Sequence, residues 1–63
     1  MCESIAYVLR DDELEKVMDD VVSIDPYDNK LYLTDIVGNQ KIIEGNIKEI
    51  QFMKHKIIIE EKR

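Results

Sequence analysis

Sixty-three residues make one small domain, 1–63, whose core is marginal unless metal, disulfides or a second subunit reinforce it. A net charge of −5 argues against sequence-independent nucleic-acid binding, which needs a basic surface. A single cysteine cannot form an internal disulfide, so the reinforcement is expected from self-association.

The chain opens on Met1-Cys2-Glu3-Ser4, with no signal peptide, transmembrane run or lipid motif. That reads as cytoplasmic and reducing, so Cys2 is expected to stay a free thiol. A thiolate beside the terminal amine and nearby backbone amides can chelate a metal. Such a nitrogen–sulfur set suits flat four-coordinate nickel(II) or copper(II) better than zinc. If Met1 is removed, amine and thiol share one residue and close a five-membered chelate. The plainer reading is an idle or buried thiol near a frayed terminus.

Residues 5–9, Ile5-Ala6-Tyr7-Val8-Leu9, are apolar on both faces and predict a strand buried on two sides or lying at a subunit contact. Arg10-Asp11-Asp12-Glu13 is a polar turn. Leu14, Val17, Met18 and Val21 then fall at helical spacing, with Asp11 or Asp12 available as a cap. The β-branched Val21-Val22-Ser23-Ile24 would stop such a helix after little more than two turns. The residues alone leave helix and strand open here.

Val22 and Ile24 lead into Asp25-Pro26-Tyr27-Asp28-Asn29, where proline presets a turn and Asn29 tolerates a left-handed backbone. Residues 31–34 form the return strand, 37–39 a second turn, and 40–44 a further strand. Gly45-Asn46 reads as a break. Asn46 with Glu49 resembles a capping box, which predicts a single helical turn over 46–50, ending at Ile50. Ile50 and Phe52 begin the last hairpin, with Lys54-His55 at its tip and 56–60 returning. Turn signals every eight to twelve residues between short strands predict a small all-β barrel of five to six short antiparallel strands.

The chemistry on offer is narrow. The two glycines stand alone, so no phosphate loop is present, and no Cys-x-x-Cys or His-x-x-x-His spacing exists for a structural zinc site. A Cys2–His55 nucleophilic pair lacks an oxyanion frame, so no enzymatic activity is expected. His55 reads first as a polar turn residue and only second as a metal ligand. Asp11-Asp12-Glu13 and Asp19-Asp20 read as solvated faces, and Tyr7, Tyr27 and Tyr32 as core or interface. Residues 1–40 hold three basic and ten acidic side chains, whereas 41–63 hold six basic and four acidic. A small basic face in the second half therefore remains open.

Taken in order, several pieces resemble one family. They are Met1-Cys2-Glu3-Ser4 with its apolar strand, Val17-Met18-Asp19-Asp20-Val21-Val22, and Leu33-Thr34-Asp35-Ile36-Val37-Gly38 with Gln40-Lys41. Ile47-Lys48-Glu49-Ile50 and His55-Lys56-Ile57 complete the set. The sequence is similar in these places to the CooT family, accessory proteins of nickel-dependent carbon monoxide dehydrogenase. The resemblance implies a small Sm/SH3-like barrel, a homodimer, and nickel(II) held by Cys2 with the backbone nitrogens of Met1 and its neighbours. Glu3 and His55 are lesser candidates as ligands. It also implies strands through 12–22, with Glu13 to Met18, a tight reversal at Asp19-Asp20 and a new strand from Val21. Carbon monoxide dehydrogenase is the implied client. The alternative is an Sm/SH3-like module binding RNA or a peptide, in which Cys2 is incidental; no membrane contact is expected.

Overall fold

The computed structural model describes residues 4–61. Within them the chain forms β1 (Ser4–Arg10), β2 (Glu13–Tyr27), β3 (Lys30–Asp35), β4 (Gln40–Gln51) and β5 (Lys56–Glu61). A single 3-10 turn at Phe52–Lys54 joins the last two. Each strand pairs with the next in antiparallel sense, and β1 pairs with β5 to close the barrel. That closing ladder is the one parallel pairing, running from Ile5 opposite Lys56 to Leu9 opposite Glu60.

The first two hairpins follow from their turn residues. Asp11 and Asp12 both take positive φ (48° and 66°), and so do Asp28 and Asn29 (53° and 61°). Two left-handed residues in a two-residue loop match the right-handed twist of the strands they join, and Asp and Asn tolerate that conformation best among residues with a side chain. Pro26 does not turn the chain as expected. It lies in β2 opposite Leu31, on a stretch of β2 that pairs on one side only, where a missing N–H costs the ladder nothing.

The ambiguous segment is strand throughout, and the expected reversal at Asp19-Asp20 is absent. β2 runs on for 15 residues, pairing with β1 up to Val21 and with β3 from Val21 onward. Asp20 takes φ 53° and lends its carbonyl to the Ile36 N–H at 3.0 Å. One left-handed residue bends the strand so that it serves two neighbours in turn. Met18 and Val21 face the core from either side of that bend, whereas Leu14 is exposed. The helical spacing of these residues therefore reflects a bulged strand.

The helical turn expected over 46–50 is also corrected: those residues belong to β4. Asn46 pairs with Glu60, Ile47 with Ile59 and Ile50 with Ile57. Ladder bonds and isoleucine pairs satisfy the backbone that a capping box would otherwise have served. Gly45 is not a break either. It lies opposite Glu61, and a Cβ there would sit 2.3 Å from the Glu60 carbonyl oxygen, so only glycine allows β4 and β5 to approach this closely.

The core comes from every strand: Ala6 and Val8, Met18 and Val21, Leu31 and Leu33, Ile43, Ile57 and Ile59. Alternation along β1 puts Ile5, Tyr7 and Leu9 on the outer face, each half-buried. Ile58, opposite Tyr7, is buried on that outer side while its neighbours Ile57 and Ile59 fill the barrel.

Candidate functional site

Met1, Cys2 and Glu3 lie outside the described residues. The structure fixes the place from which they extend. The Ile5 N–H donates to the His55 carbonyl at 2.9 Å, one step ahead of the β1–β5 ladder. Ser4 shares a largely apolar groove with Ile50, Phe52, His55, Lys56 and Ile57. The start of β1 is thus held against the β4–β5 connection.

His55 sits where the 3-10 turn ends. Its φ is 54°, and its N–H closes the turn onto the Phe52 carbonyl at 3.3 Å. The left-handed backbone sends the chain back into β5 while the side chain remains exposed. This residue therefore has a structural duty at its backbone. Its imidazole is left available on the same end of the barrel as Ser4.

The other acidic groups are dispersed. Asp11, Asp12 and Glu13 lie at the β1–β2 turn, and Asp19 and Asp20 near the middle of β2. Among the described residues no group of three or more His, Cys, Asp or Glu side chains is arranged to hold a metal.

The lysines of the possible basic face are divided between sides of the molecule. Lys41 lines a polar seam between β2 and β4 together with Arg10, Glu15 and Glu61, and its ammonium donates to the Val17 carbonyl at 3.0 Å. In the same seam Arg10 pairs in fork geometry with Glu61, at 2.8 and 3.0 Å, and also with Glu15. The Glu61 carboxylate, through its hydrogen bond and its charge, raises the Arg10 pKa above its ordinary value. Lys48 lies 3.9 Å from Glu60, and Lys56 stands over the Tyr7 ring at 5.4 Å. Tyr27 packs edge-to-face on Tyr32, ring centres 6.4 Å apart. A single-strand nucleic-acid platform needs successive aromatic rings along a basic groove, whereas Lys41 and Lys48 are each engaged with a neighbouring group.

Sequence reasoning missed one feature. Phe52 was expected to start a strand, but Phe52 and Met53 project from the 3-10 turn, 80% and 93% exposed. The available signal was the loss of alternation at Gln51-Phe52-Met53-Lys54, two adjacent apolar residues where a strand would have one.

The family model for CooT, described as a CO dehydrogenase accessory protein, matches residues 1–60. The chain belongs to the CooT family. A crystal structure assigned to CooT from Carboxydothermus hydrogenoformans superimposes with a TM-score of 0.90 at 29% identity, covering 98% of this chain and all of that one. No curated protein matches the sequence. Family membership makes the chain a carbon monoxide dehydrogenase accessory protein on a five-stranded barrel. Among the described residues, no helix is long and apolar enough to cross a membrane.

Proposed function

We propose that this chain carries nickel(II) for the maturation of nickel-dependent carbon monoxide dehydrogenase, with the ion bound by the Cys2 thiolate and backbone nitrogens at the chain start. The observation that carries this reading is the family match over residues 1–60, which takes in Cys2, the sole thiol of the sequence. The bond from Ile5 to His55 supports it. Three residues of chain, from Ile5 back to position 2, span at most about 11 Å, so this anchoring keeps a metal held at position 2 near the His55 end of the barrel.

The chemistry follows from the donors. A thiolate is a strong, soft ligand, and amine or amide nitrogens complete a set that favours flat nickel(II). Binding releases the thiol proton, so affinity rises with pH. An ion held at the chain start can pass to a receiving site by ligand exchange without the barrel opening. No catalytic step is needed. A homodimer joined through the outer face of β1 and β5, where Ile5, Tyr7, Leu9 and Ile58 adjoin, would bring two chain starts together.

Equilibrium nickel titration of protein beginning at Met1 tests the reading. Cys2→Ser is expected to abolish tight binding and sulfur-to-nickel charge-transfer absorption while leaving far-UV circular dichroism unchanged. Residues added ahead of Met1 are expected to weaken binding with Cys2 intact, and His55→Ala to change little. Nickel bound by Cys2→Ser as tightly as by wild type would overturn the mechanism.

A further inference from the structure

The β4–β5 connection is chemically unlike the rest of the molecule. Fourteen of the 63 residues are acidic, yet the ten residues 50–59 contain no carboxylate and include Lys54, His55 and Lys56. At the centre of this stretch, Phe52 and Met53 are the two most exposed large apolar side chains of the described chain. Ile50, beside them, is 45% exposed. This lobe is not a slack loop. The 3-10 turn is closed by the His55 N–H, its base is paired through Gln51 and Lys56, and the Ile5 N–H is bonded to it. Exposed aromatic and methionine side chains on a hydrogen-bonded turn are residue types enriched at protein interfaces.

We propose that the Phe52–Met53 lobe is a docking element that inserts into an apolar cleft rimmed by carboxylates on a partner protein. This inference rests on the accessory-protein reading, with the partner being the enzyme that receives the metal. Charge decides between occupants. A symmetric contact between two copies through this lobe would bring lysines against lysines, which like-charge repulsion opposes. A carboxylate-rimmed cleft instead meets the lobe's cationic rim and steers encounter. An anionic bilayer offers the same sign of charge. However, two apolar side chains and two lysines at about 1 kcal/mol each give only weak membrane attachment. Position supplies the functional sense. Ser4 and Phe52 line one groove, so insertion of the lobe sets the chain start against the partner's surface.

The test compares wild type, the double variant Phe52→Ser with Met53→Ser, and Lys54→Glu. Binding to metal-free carbon monoxide dehydrogenase is measured by biolayer interferometry at low and high salt. Neither apolar residue belongs to the core, so the double variant is expected to fold and to bind nickel as wild type does. Its affinity for the enzyme is expected to fall at least tenfold. Lys54→Glu is expected to slow association severalfold and to flatten its salt dependence. Cys2→Ser is expected to dock normally while losing nickel, so nickel retained by Cys2→Ser with docking intact would count against the metal mechanism alone. Three results would overturn the docking proposal. One is a double variant that binds the enzyme as tightly as wild type. Another is a dimer that falls to monomer in the double variant, which would make the lobe a self-association face. The third is wild type that ignores the enzyme but sediments with phosphatidylserine vesicles.

Discussion

Asp35, at the end of β3, organises the turn that leads into β4. Its carboxylate accepts the N–H groups of Val37 and Asn39 at 3.1 and 2.8 Å, and the Asn39 side-chain amide at 3.1 Å. Burial pushes its pKa up, but the backbone and side-chain donors of Asn39, with the N–H groups of Val37 and Gly38, outweigh it. The group is held below the ordinary value of 3.8. A carboxylate whose folded pKa is depressed contributes stability that is present above its unfolded value and lost as pH falls through the folded one. Wild type is therefore expected to lose stability on acidification from about 3.8 downward. Asp35→Ala, weaker at neutral pH, is expected to show a flatter urea midpoint over that window. Parallel curves would remove Asp35 from the account. The sequence announced this turn through Gly38-Asn39, but not the residue that fastens it, because an aspartate between Thr34 and Ile36 looks like any strand end. Cys2 was the opposite case. Residue type and position single it out in the sequence, its role as a ligand is a proposal, and the anchoring of β1 at His55 has no signal in the sequence.

The turns between strands were legible wherever Asp, Asn or Gly had to take a left-handed backbone. The strands were less so. β2 and β4, of 15 and 12 residues, each pair with two different neighbours along their length. β2 carries an irregularity between Val21 and Ser23, where it changes neighbours, and β4 one between Ile47 and Glu49, within its pairing to β5. A bulge shifts the two-residue period by one, and over a short window that imitates helical spacing or a break. Gly45, whose juxtaposition with Asn46 looks like a turn signal, instead stands where β4 changes its neighbour from β3 to β5, and it yields a sharp expectation. Gly45→Ala places a methyl 2.3 Å from the Glu60 carbonyl oxygen and 3.1 Å from the Glu61 Cα. Backbone on one side and a paired ladder on the other cannot yield cheaply. The variant is expected to lose about 1–3 kcal/mol, the usual penalty for overpacking, read as a lower urea midpoint with an unchanged slope. A neutral Gly45→Ala would mean that β5 shifts more easily than its pairing implies.

For the whole molecule, the all-β barrel followed from turn spacing, whereas its closure through a parallel β1–β5 pair did not. Pairing between chain ends leaves no local signal, because each strand's apolar pattern is the same whichever neighbour it takes. Lys41, Lys48 and Lys56 each engage a neighbouring group, and RNA binding is not expected of them. No salt-sensitive shift of single-stranded RNA is expected near physiological ionic strength. A shift lost on neutralising Lys41, Lys48, Lys54 and Lys56 would favour the nucleic-acid alternative. Sedimentation equilibrium at concentrations on the order of tens of micromolar is expected to show a dimer, and Leu9→Lys on the outer face of β1 a monomer. A wild-type monomer would dissolve that part of the proposal. The β1–β5 ladder also governs timing. β1, made before the other four strands of the barrel, gains its second neighbour only when β5 is made, so a nascent chain that stops short of β5 cannot complete the ring. At about 5–20 residues per second that wait lasts several seconds, during which β1 keeps an open edge that chaperones can read. The His55 carbonyl that secures the beginning of β1 comes only after most of the chain has been translated.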